Sequence, residues 1–181
     1  MLPIDALMQE HRLIERMIFQ MQKELALMGE TNTVDTIFIT AVVDFIWTYA
    51  DRCHHGKEEG VLFKELAAKQ ISSEHAAMVR DLIDEHVYVR KTIANLAKTN
   101  ESYIAGNNNV TKEIFGLMQA LIEFYPMHAQ KEDKKFFGPS MEYFTLQEQE
   151  TMLDEFGKFD RKIIHEHYAK IVGELEKQVN V

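Results

Sequence analysis

Apolar residues recur at helical spacing over long stretches of this chain, and only short breaks separate the stretches. No stretch shows the alternation of apolar and polar residues that is typical of a β-strand. Long helices joined by short loops favour an all-α fold, an up-down antiparallel four-helix bundle with an additional C-terminal helix. The pattern predicts helices from Asp5 to about Met28, about Val34 to Lys69, Ser72 or Ser73 to about Thr99, about Thr111 to Phe136, and Thr145 to about Lys177.

The breaks between the predicted helices are rich in Gly, Asn and Pro. Residues 29–33 and 106–109 are predicted loops, and Gly138-Pro139 is expected to end the fourth helix. Pro126 is expected to kink that helix, and Gly157 to bend the fifth, which begins with a capping box from Thr145 to Glu148. The expected organisation is one structural domain, with a metal-binding bundle over 1–139 and a helical extension over 140–181 packed on it.

Composition limits the classes of function. A hydrophobic content of 46% is that of a globular domain, and a net charge of −9 argues against nucleic acid and anionic membranes as partners. No apolar run is long enough for a membrane span, and the first residues do not resemble a signal peptide. Cys53 is the single cysteine, so a thiolate-rich metal site is excluded and a cytoplasmic location is expected.

Histidines followed four residues later by glutamate are the most informative motif. Because residues four apart share one helix face, each pair presents an imidazole and a carboxylate to a common point. One such pair is weak evidence, whereas several on inward faces of different helices are hard to explain by solvation. The pairs are His11/Glu15, His54/Glu58, His55/Glu59 and His128/Glu132.

Neighbouring residues indicate which of these faces point inward. His54/Glu58 shares its face with Val43, Trp47 and Ala50, so we interpret it as buried, with Trp47 in the core. His55/Glu59 lies beside polar residues and is expected to be a surface pair. Apolar faces also carry His11, His86 and His128/Glu132. Imidazoles and carboxylates on such faces are costly unless they are paired or bind a metal.

Spacing along the chain also places four histidines at one height. In an antiparallel hairpin, residues equidistant from the loop lie level. The midpoint of positions 11 and 54 falls in the 29–33 loop, that of 54 and 86 lies beside Ser72, and that of 86 and 128 falls in the 106–109 loop. Histidines 11, 54, 86 and 128 are therefore predicted to meet in one layer, which holds either metal or a hydrogen-bonded polar network.

These motifs resemble the hemerythrin-like, or HHE cation-binding, family. The resemblance covers about Asp5 to Pro139, and rests on Glu10-His11-Arg12-Leu13-Ile14-Glu15, His54-His55-Gly56-Lys57-Glu58-Glu59-Gly60-Val61-Leu62-Phe63, Glu85-His86 and His128-Ala129-Gln130-Lys131-Glu132. It implies a four-helix bundle with a non-haem di-iron centre. Carried over by position, His11 and His54 bind one iron, His86 and His128 bind the other, and Glu58 and Glu132 bridge them.

The ligand types agree with that implication. Imidazole with carboxylate suits iron or manganese and gives no special preference for zinc. A ferritin-like di-iron bundle places Glu three residues before His, and no histidine in this sequence has a glutamate at that position.

One position departs from the family pattern. Oxygen-carrying hemerythrins have a further histidine where this chain has Arg90, so metal coordination positions are expected to stay open. Arg90 either contacts a bridging carboxylate or is solvated. Tyr125 either approaches the metals or is aromatic core. His167 is expected to pack in the core, with a ligand role as the alternative, and His75 and His165 are expected to be peripheral.

Open positions favour a protein that captures, senses or handles O2, NO or peroxide. One alternative is an enzyme that turns over peroxide or NO or repairs iron–sulfur clusters, although cluster-repair members of the family carry paired cysteines that this sequence lacks. A second is an iron-responsive interaction module whose protein partner the sequence does not identify.

Overall fold

The computed structural model describes residues 2–160 and 164–178, and nearly all of this part of the chain is helical, without a strand. The all-α prediction is confirmed. The α-helices are α1 (Pro3–Thr31), α2 (Thr36–Phe45), α3 (Lys64–Ala67), α4 (Ser73–Ile104), α5 (Thr111–Lys131), α6 (Phe137–Ser140), α7 (Leu146–Phe159) and α8 (Ile164–Gln178). Three π-helical stretches join them, π1 (Ile46–His55), π2 (Glu58–Phe63) and π3 (Glu132–Phe136).

Helix α1 is longer at both ends than the predicted span from Asp5 to Met28. Pro3 occupies the first turn, where its missing N–H costs nothing, and the Asp5 carboxylate accepts the Leu2 backbone N–H at 2.6 Å. The helix ends at Asn32, whose left-handed φ of 51° is a common helix terminator. The predicted 29–33 loop is therefore shorter, because the helix continues through Thr31.

The predicted second helix is a continuous helical run over 36–67 that changes type along its length. Asp35 caps its start, and its carboxylate accepts the backbone N–H groups of Ile37 and Phe38 at 3.0 and 2.9 Å. The run then widens into π1 and π2, where the i→i+5 hydrogen bonds turn each side chain by less than an α-helix does. Both π stretches carry candidate metal ligands.

The third and fourth helices also extend past their predicted ends. Ser72 caps α4, its hydroxyl accepting the His75 backbone N–H at 3.1 Å, and the helix reaches Ile104 rather than Thr99. Pro126 lies inside α5. The prediction that Gly138-Pro139 ends this helical segment is wrong, because π3 and α6 carry it through Ser140 before a 3₁₀ turn at Met141–Tyr143.

The expected single fifth helix is two helices. The capping box is confirmed: Glu148 N–H donates to the Thr145 hydroxyl at 3.3 Å and Thr145 N–H to the Glu148 carboxylate at 2.8 Å. Helix α7 then ends at Phe159, and Asp160 is extended. Helix α8 packs along α1 and π1. Tyr168 donates to Asp44 near the end of α2 at 2.9 Å, and Arg16 of α1 forms two hydrogen bonds with Glu176 at 2.9 and 2.8 Å.

The buried apolar residues form two cores separated along the long helices. The large core includes Ile14, Ala50, Val89 and Tyr125, and the small core includes Leu7, Leu62, Leu82 and Phe136. On each of four helical segments, a histidine lies between a residue of one core and a residue of the other. The fold therefore places a polar layer between two apolar ones.

Trp47 is 37% exposed, so its expected place in the core is wrong. No helix in the described part of the chain has the length and apolar character needed to cross a bilayer.

Candidate metal centre

Five histidine side chains meet in the layer between the two cores. The structure brings together His11, His54, His86 and His128, as the spacing predicted, and all are at most 2% exposed. The ring centroids of His11 and His54 are 4.5 Å apart, and those of His86 and His128 are 5.1 Å apart. The fifth member is His55, which sequence analysis did not select.

The expectation that His55 and Glu59 form a surface pair is wrong. His55 is fully buried, and its ring stacks on His86 with 3.9 Å between centroids. The cause is the π-helix, whose smaller rotation per residue lets the adjacent His54 and His55 both face inward. Glu59 is half-buried and accepts a hydrogen bond from His86 rather than His55. An α-helical face assignment misses this because it assumes a constant rotation.

Each of the five imidazoles hydrogen-bonds a carboxylate through its Nδ1 atom. A carboxylate accepts, so Nδ1 carries the proton and the lone pair is left on Nε2, the atom that is free to bind a metal. The pairs and their Nδ1–oxygen distances are His11–Asp133 2.7 Å, His54–Glu10 2.9 Å, His55–Asp51 3.3 Å, His86–Glu59 2.7 Å and His128–Glu85 2.7 Å.

The inward atoms of the layer have no hydrogen-bond partner among the described residues. They are Nε2 of all five histidines and both carboxylate oxygens of Glu58 and Glu132. His11 Nε2 lies 3.2 Å from Glu132, and His54 Nε2 lies 3.5 Å from Glu58, without hydrogen-bond geometry. Native proteins rarely leave buried polar atoms unpaired, and a bound cation satisfies such a set. The residues present therefore fit a metal centre.

The donor atoms fall into two groups. Atoms of His11, His54, Glu58 and Glu132 lie within 4.8 Å of one another, and so do atoms of His55, His86 and His128. Glu58 is near both groups, because its second oxygen is 3.4 Å from His86 Nε2. Each of these adjacent groups could hold a metal ion, and Glu58 is close enough to contribute to both.

Burial and mutual charge control protonation in this layer. Burial and the neighbouring Glu132 carboxylate raise the pKa of Glu58 well above its usual range. Burial and the surrounding histidines lower the pKa of His54 and His55 well below theirs. Burial opposes the protonation of His11, but the hydrogen bond to Asp133 and the nearby Glu132 carboxylate raise its pKa to about 9. Burial likewise opposes the ionisation of Glu132, but the neighbouring histidines lower its pKa. Without a metal, these shifts favour uncharged Glu58, His54 and His55 beside a charged pair of His11 and Glu132, whereas two cations would favour both carboxylates in their ionised form.

Comparison with protein families agrees with this geometry. The hemerythrin HHE cation binding domain matches residues 2–138. The chain belongs to the hemerythrin family. The match includes every histidine of the layer and ends before α7, so helices α7 and α8 of the described chain lie beyond the matched domain. No curated protein and no solved structure matches the chain significantly.

Arg90 lies at the position where oxygen-carrying hemerythrins have a further histidine, and its role differs from both expectations. Its partners among the described residues are neither Glu58 nor Glu132, the carboxylates expected to bridge the metals, and it is not simply solvated. Its guanidinium donates to Asp51 and to Glu59, each at 2.7 Å. Because these carboxylates hold His55 and His86, Arg90 fixes the position of two imidazoles through their partners.

A second polar cluster, which sequence analysis missed, adjoins the candidate metal centre. Lys57 is fully buried, and its ammonium contacts Glu10 and Asp160. Cys53 donates its thiol hydrogen to Asp160 at 3.4 Å, and burial and Glu10 raise the pKa of that thiol to about 12. One donor atom from each of Glu10, Cys53, Asp160 and His165 lies within 4.8 Å of the others. Lys57 already supplies the cation there, so we assign no metal to this cluster.

The remaining histidines lie outside the layer. His165 is 39% exposed in its side chain and lies 2.9 Å from Asp160, in the second cluster. His75 contacts the Tyr143 hydroxyl at 2.8 Å. His167 is exposed and its ring lies beside that of Tyr168, so its expected core packing is wrong and its alternative ligand role finds no support.

Proposed function

We propose that this hemerythrin-family protein is an up-down four-helix bundle over 1–139 that holds two iron ions, with the segment after residue 139 packed on it. His11 and His54 bind one ion, His86 and His128 the other, and Glu58 and Glu132 bridge them. The proposed set gains His55 on the second ion. The observation that carries the proposal is the buried set of unpaired donor atoms aimed at one another.

The number of protein ligands on each metal supports binding of a small molecule at this site. Two imidazoles and two bridging carboxylates supply fewer donors than octahedral iron needs, so the ion on His11 and His54 keeps more open positions than its neighbour. The donor set holds imidazole and carboxylate without thiolate, which suits iron or manganese.

We propose that the protein captures, senses or handles O2, NO or peroxide at those positions. Ferrous iron bound there would supply electrons and vacant coordination positions. The chain's own residues fix the geometry: five carboxylates hold the imidazoles in one tautomer, and two apolar cores exclude bulk water above and below the layer.

Steady-state turnover of peroxide or NO is the competing function at the same residues. Thiol-dependent repair of iron–sulfur clusters is less consistent with the chain, because Cys53 is buried and its pKa is raised to about 12.

Metal content and optical spectra test the proposal directly. Anaerobic reconstitution with ferrous iron is expected to load two irons per chain, and O2 is expected to oxidise them and produce a charge-transfer band. His54→Ala should lose the band, whereas the matched control His167→Ala, at an exposed position, should keep it. An iron content near zero after reconstitution would refute the di-iron centre. Repeated consumption of peroxide or NO by the wild type would favour turnover over capture.

A further inference from the structure

One buried hydroxyl beside the metal layer lacks a partner. Tyr125 is 3% exposed, and its hydroxyl makes no hydrogen bond with any described residue. A buried hydroxyl without a partner is unfavourable, so its retention at this place calls for an acceptor that the chain does not supply. Tyr125 lies on α5, three residues before the candidate ligand His128.

The position of Tyr125 relative to the layer indicates what it faces. Glu58 and Glu132 each follow a candidate ligand by four residues, toward the small core that contains Leu62 and Phe136. Tyr125 belongs to the large core, on the other side of the layer. The backbone of Tyr125 stands ~4.5 Å from that of His128 toward the large core. The oxygens of Glu58 and Glu132 reach the histidine layer from the small-core side, where they lie 3.2 to 3.5 Å from Nε2 atoms. The face of the layer that these two carboxylates do not approach is therefore the one toward Tyr125.

A cavity of about 190 Å³ lies between α1 and α5 on this side of the layer, and Tyr125 is in its wall. The wall is mostly apolar, with Ile14, Ile18 and Ala129, and it also includes Glu15 and Gln22. Ile14 and Ala129 are in the turns that carry His11 and His128. A mostly apolar cavity of this size admits a neutral diatomic molecule and disfavours ions.

We propose that the Tyr125 hydroxyl is the hydrogen-bond donor to a small ligand in the open metal position, and that the apolar cavity between α1 and α5 is the route by which this ligand enters. The proposal rests on the di-metal function above. Tyr125 is a positioning residue for the ligand, and its phenol remains the donor because burial and the charges of Asp51, Glu132 and Glu58 raise its pKa. The ligand class is a neutral diatomic with acceptor lone pairs, such as O2 or NO.

Azide and NO serve as probes of the hydroxyl. In oxidised iron-loaded protein, Tyr125→Phe is expected to raise the azide Kd by roughly 5- to 20-fold, the loss of one hydrogen bond. In ferrous protein, the N–O stretching frequency of bound NO should shift, and its small shift in D2O should disappear. Tyr49→Phe is the matched control: it removes another buried hydroxyl, one that contacts His165 at 3.0 Å outside the layer. An azide Kd and N–O frequency unchanged by Tyr125→Phe would overturn the proposal.

A measurement without metal separates a ligand role from a structural one. Since the Tyr125 hydroxyl has no partner in the described part of the chain, metal-free Tyr125→Phe should have a thermal midpoint equal to or above that of the wild type, whereas Tyr49→Phe should lower it. A lowered midpoint in Tyr125→Phe would show that the hydroxyl is structural. If the wild type itself bound neither iron nor azide, the proposed function would fail before this inference was reached.

The route has its own test. Ile18→Phe fills the cavity at a site removed from the ligands and should slow NO association about tenfold by stopped flow, with little change in equilibrium binding. Ala76→Phe, in a separate apolar cavity that Phe63 and Leu66 line, is the control and should leave the rate unchanged. Equal rates in wild type and Ile18→Phe would exclude this route.

Discussion

At the scale of single residues, the centre consists of imidazole–carboxylate pairs that mostly join different helices. Glu10 of α1 holds His54 of π1, and Asp133 of π3 holds His11 of α1. The His-x-x-x-Glu spacing does not predict these pairs, because four of the five carboxylates are distant from their histidine along the chain, and Asp51 precedes His55 by four residues. The same is true of His55, which became a candidate ligand only through its contacts.

Replacing His55 tests whether this histidine is a metal ligand, as its place in the layer indicates, or a surface residue, as helical spacing predicted. His55→Ala removes one of the three imidazoles in the second group, so iron content should fall from two toward one per chain, or the second iron should bind 10- to 100-fold more weakly. Elemental analysis after reconstitution measures this, with exposed His167→Ala as the control. Full loading with unchanged affinity would mean that His55 is not a ligand.

At the scale of elements, the ligand-bearing run is shaped to receive the end of α7. Gly56 and Gly60 lie four residues apart, and the Phe159 ring covers both of them. A Cβ atom added at either glycine would lie 3.1 Å from that ring. The side chains missing at these two positions therefore let α7 pack closely against π2, next to Glu58.

Alanine substitutions at two helical glycines should have different effects. Gly116 in α5 has nothing within 4 Å of an added Cβ, so Gly116→Ala should stabilise by about 1 kcal/mol through helix propensity. Gly60→Ala should lose that gain, or destabilise by about 1 kcal/mol, because the Phe159 ring must move. Urea unfolding measures both variants.

If close packing of α7 causes the cost of Gly60→Ala, that cost should depend on the Phe159 ring. In a Phe159→Ala background, Gly60→Ala should become neutral or stabilising, as Gly116→Ala is in the wild type. A Gly60→Ala variant as stable as Gly116→Ala in the original background would contradict the close packing of α7 on π2.

At the scale of the whole molecule, the C-terminal helices connect to the metal layer by buried charge. Asp160, between α7 and α8, contacts Lys57, which contacts Glu10, which holds His54. The family match ends at residue 138, so part of the surroundings of a candidate ligand comes from outside the matched domain. This chain of contacts also makes the docking of α7 and α8 dependent on pH.

Asp160 should contribute stability over a defined pH range. Burial opposes ionisation, but hydrogen bonds from His165 and Lys57 outweigh it and lower the pKa of Asp160 from 3.8 to about 2. A depressed folded-state pKa gives stability that is complete above the unfolded value and is lost as pH falls toward 2. Asp160→Asn should therefore cost ~1 kcal/mol at pH 6 after allowance for solvent screening, and the difference should shrink between pH 4 and pH 2.

Denaturant unfolding of metal-free protein at several pH values measures this difference. The control is Asp154→Asn, an exposed aspartate of α7, which should show little change at any pH. A cost for Asp160→Asn that stayed constant down to pH 2 would mean that ionisation of this carboxyl does not stabilise the fold.

Several structural features were predictable because they depend on neighbouring residues. Helical periodicity predicted the long helices, and residue type predicted the loops and the Thr145–Glu148 capping box. Equal spacing about the loops predicted that four histidines meet. The errors have physical causes as well. The single fifth helix failed at Asp160, whose extended backbone follows α7 and whose carboxylate binds distant Lys57 and His165. Trp47 was assigned to the core by α-helical spacing, but it lies in π1.

The sequence by itself determined an all-helical chain with a layer of histidines and glutamates on apolar faces, since side-chain spacing within a helix is a local property. Only the tertiary structure decided that His55 joins the layer, that carboxylates from other helical segments orient four of the five imidazoles, and that Arg90 acts through the partners of His55 and His86. Those outcomes depend on where the run over 36–67 becomes π-helical and on contacts between residues far apart in sequence, which no local pattern encodes.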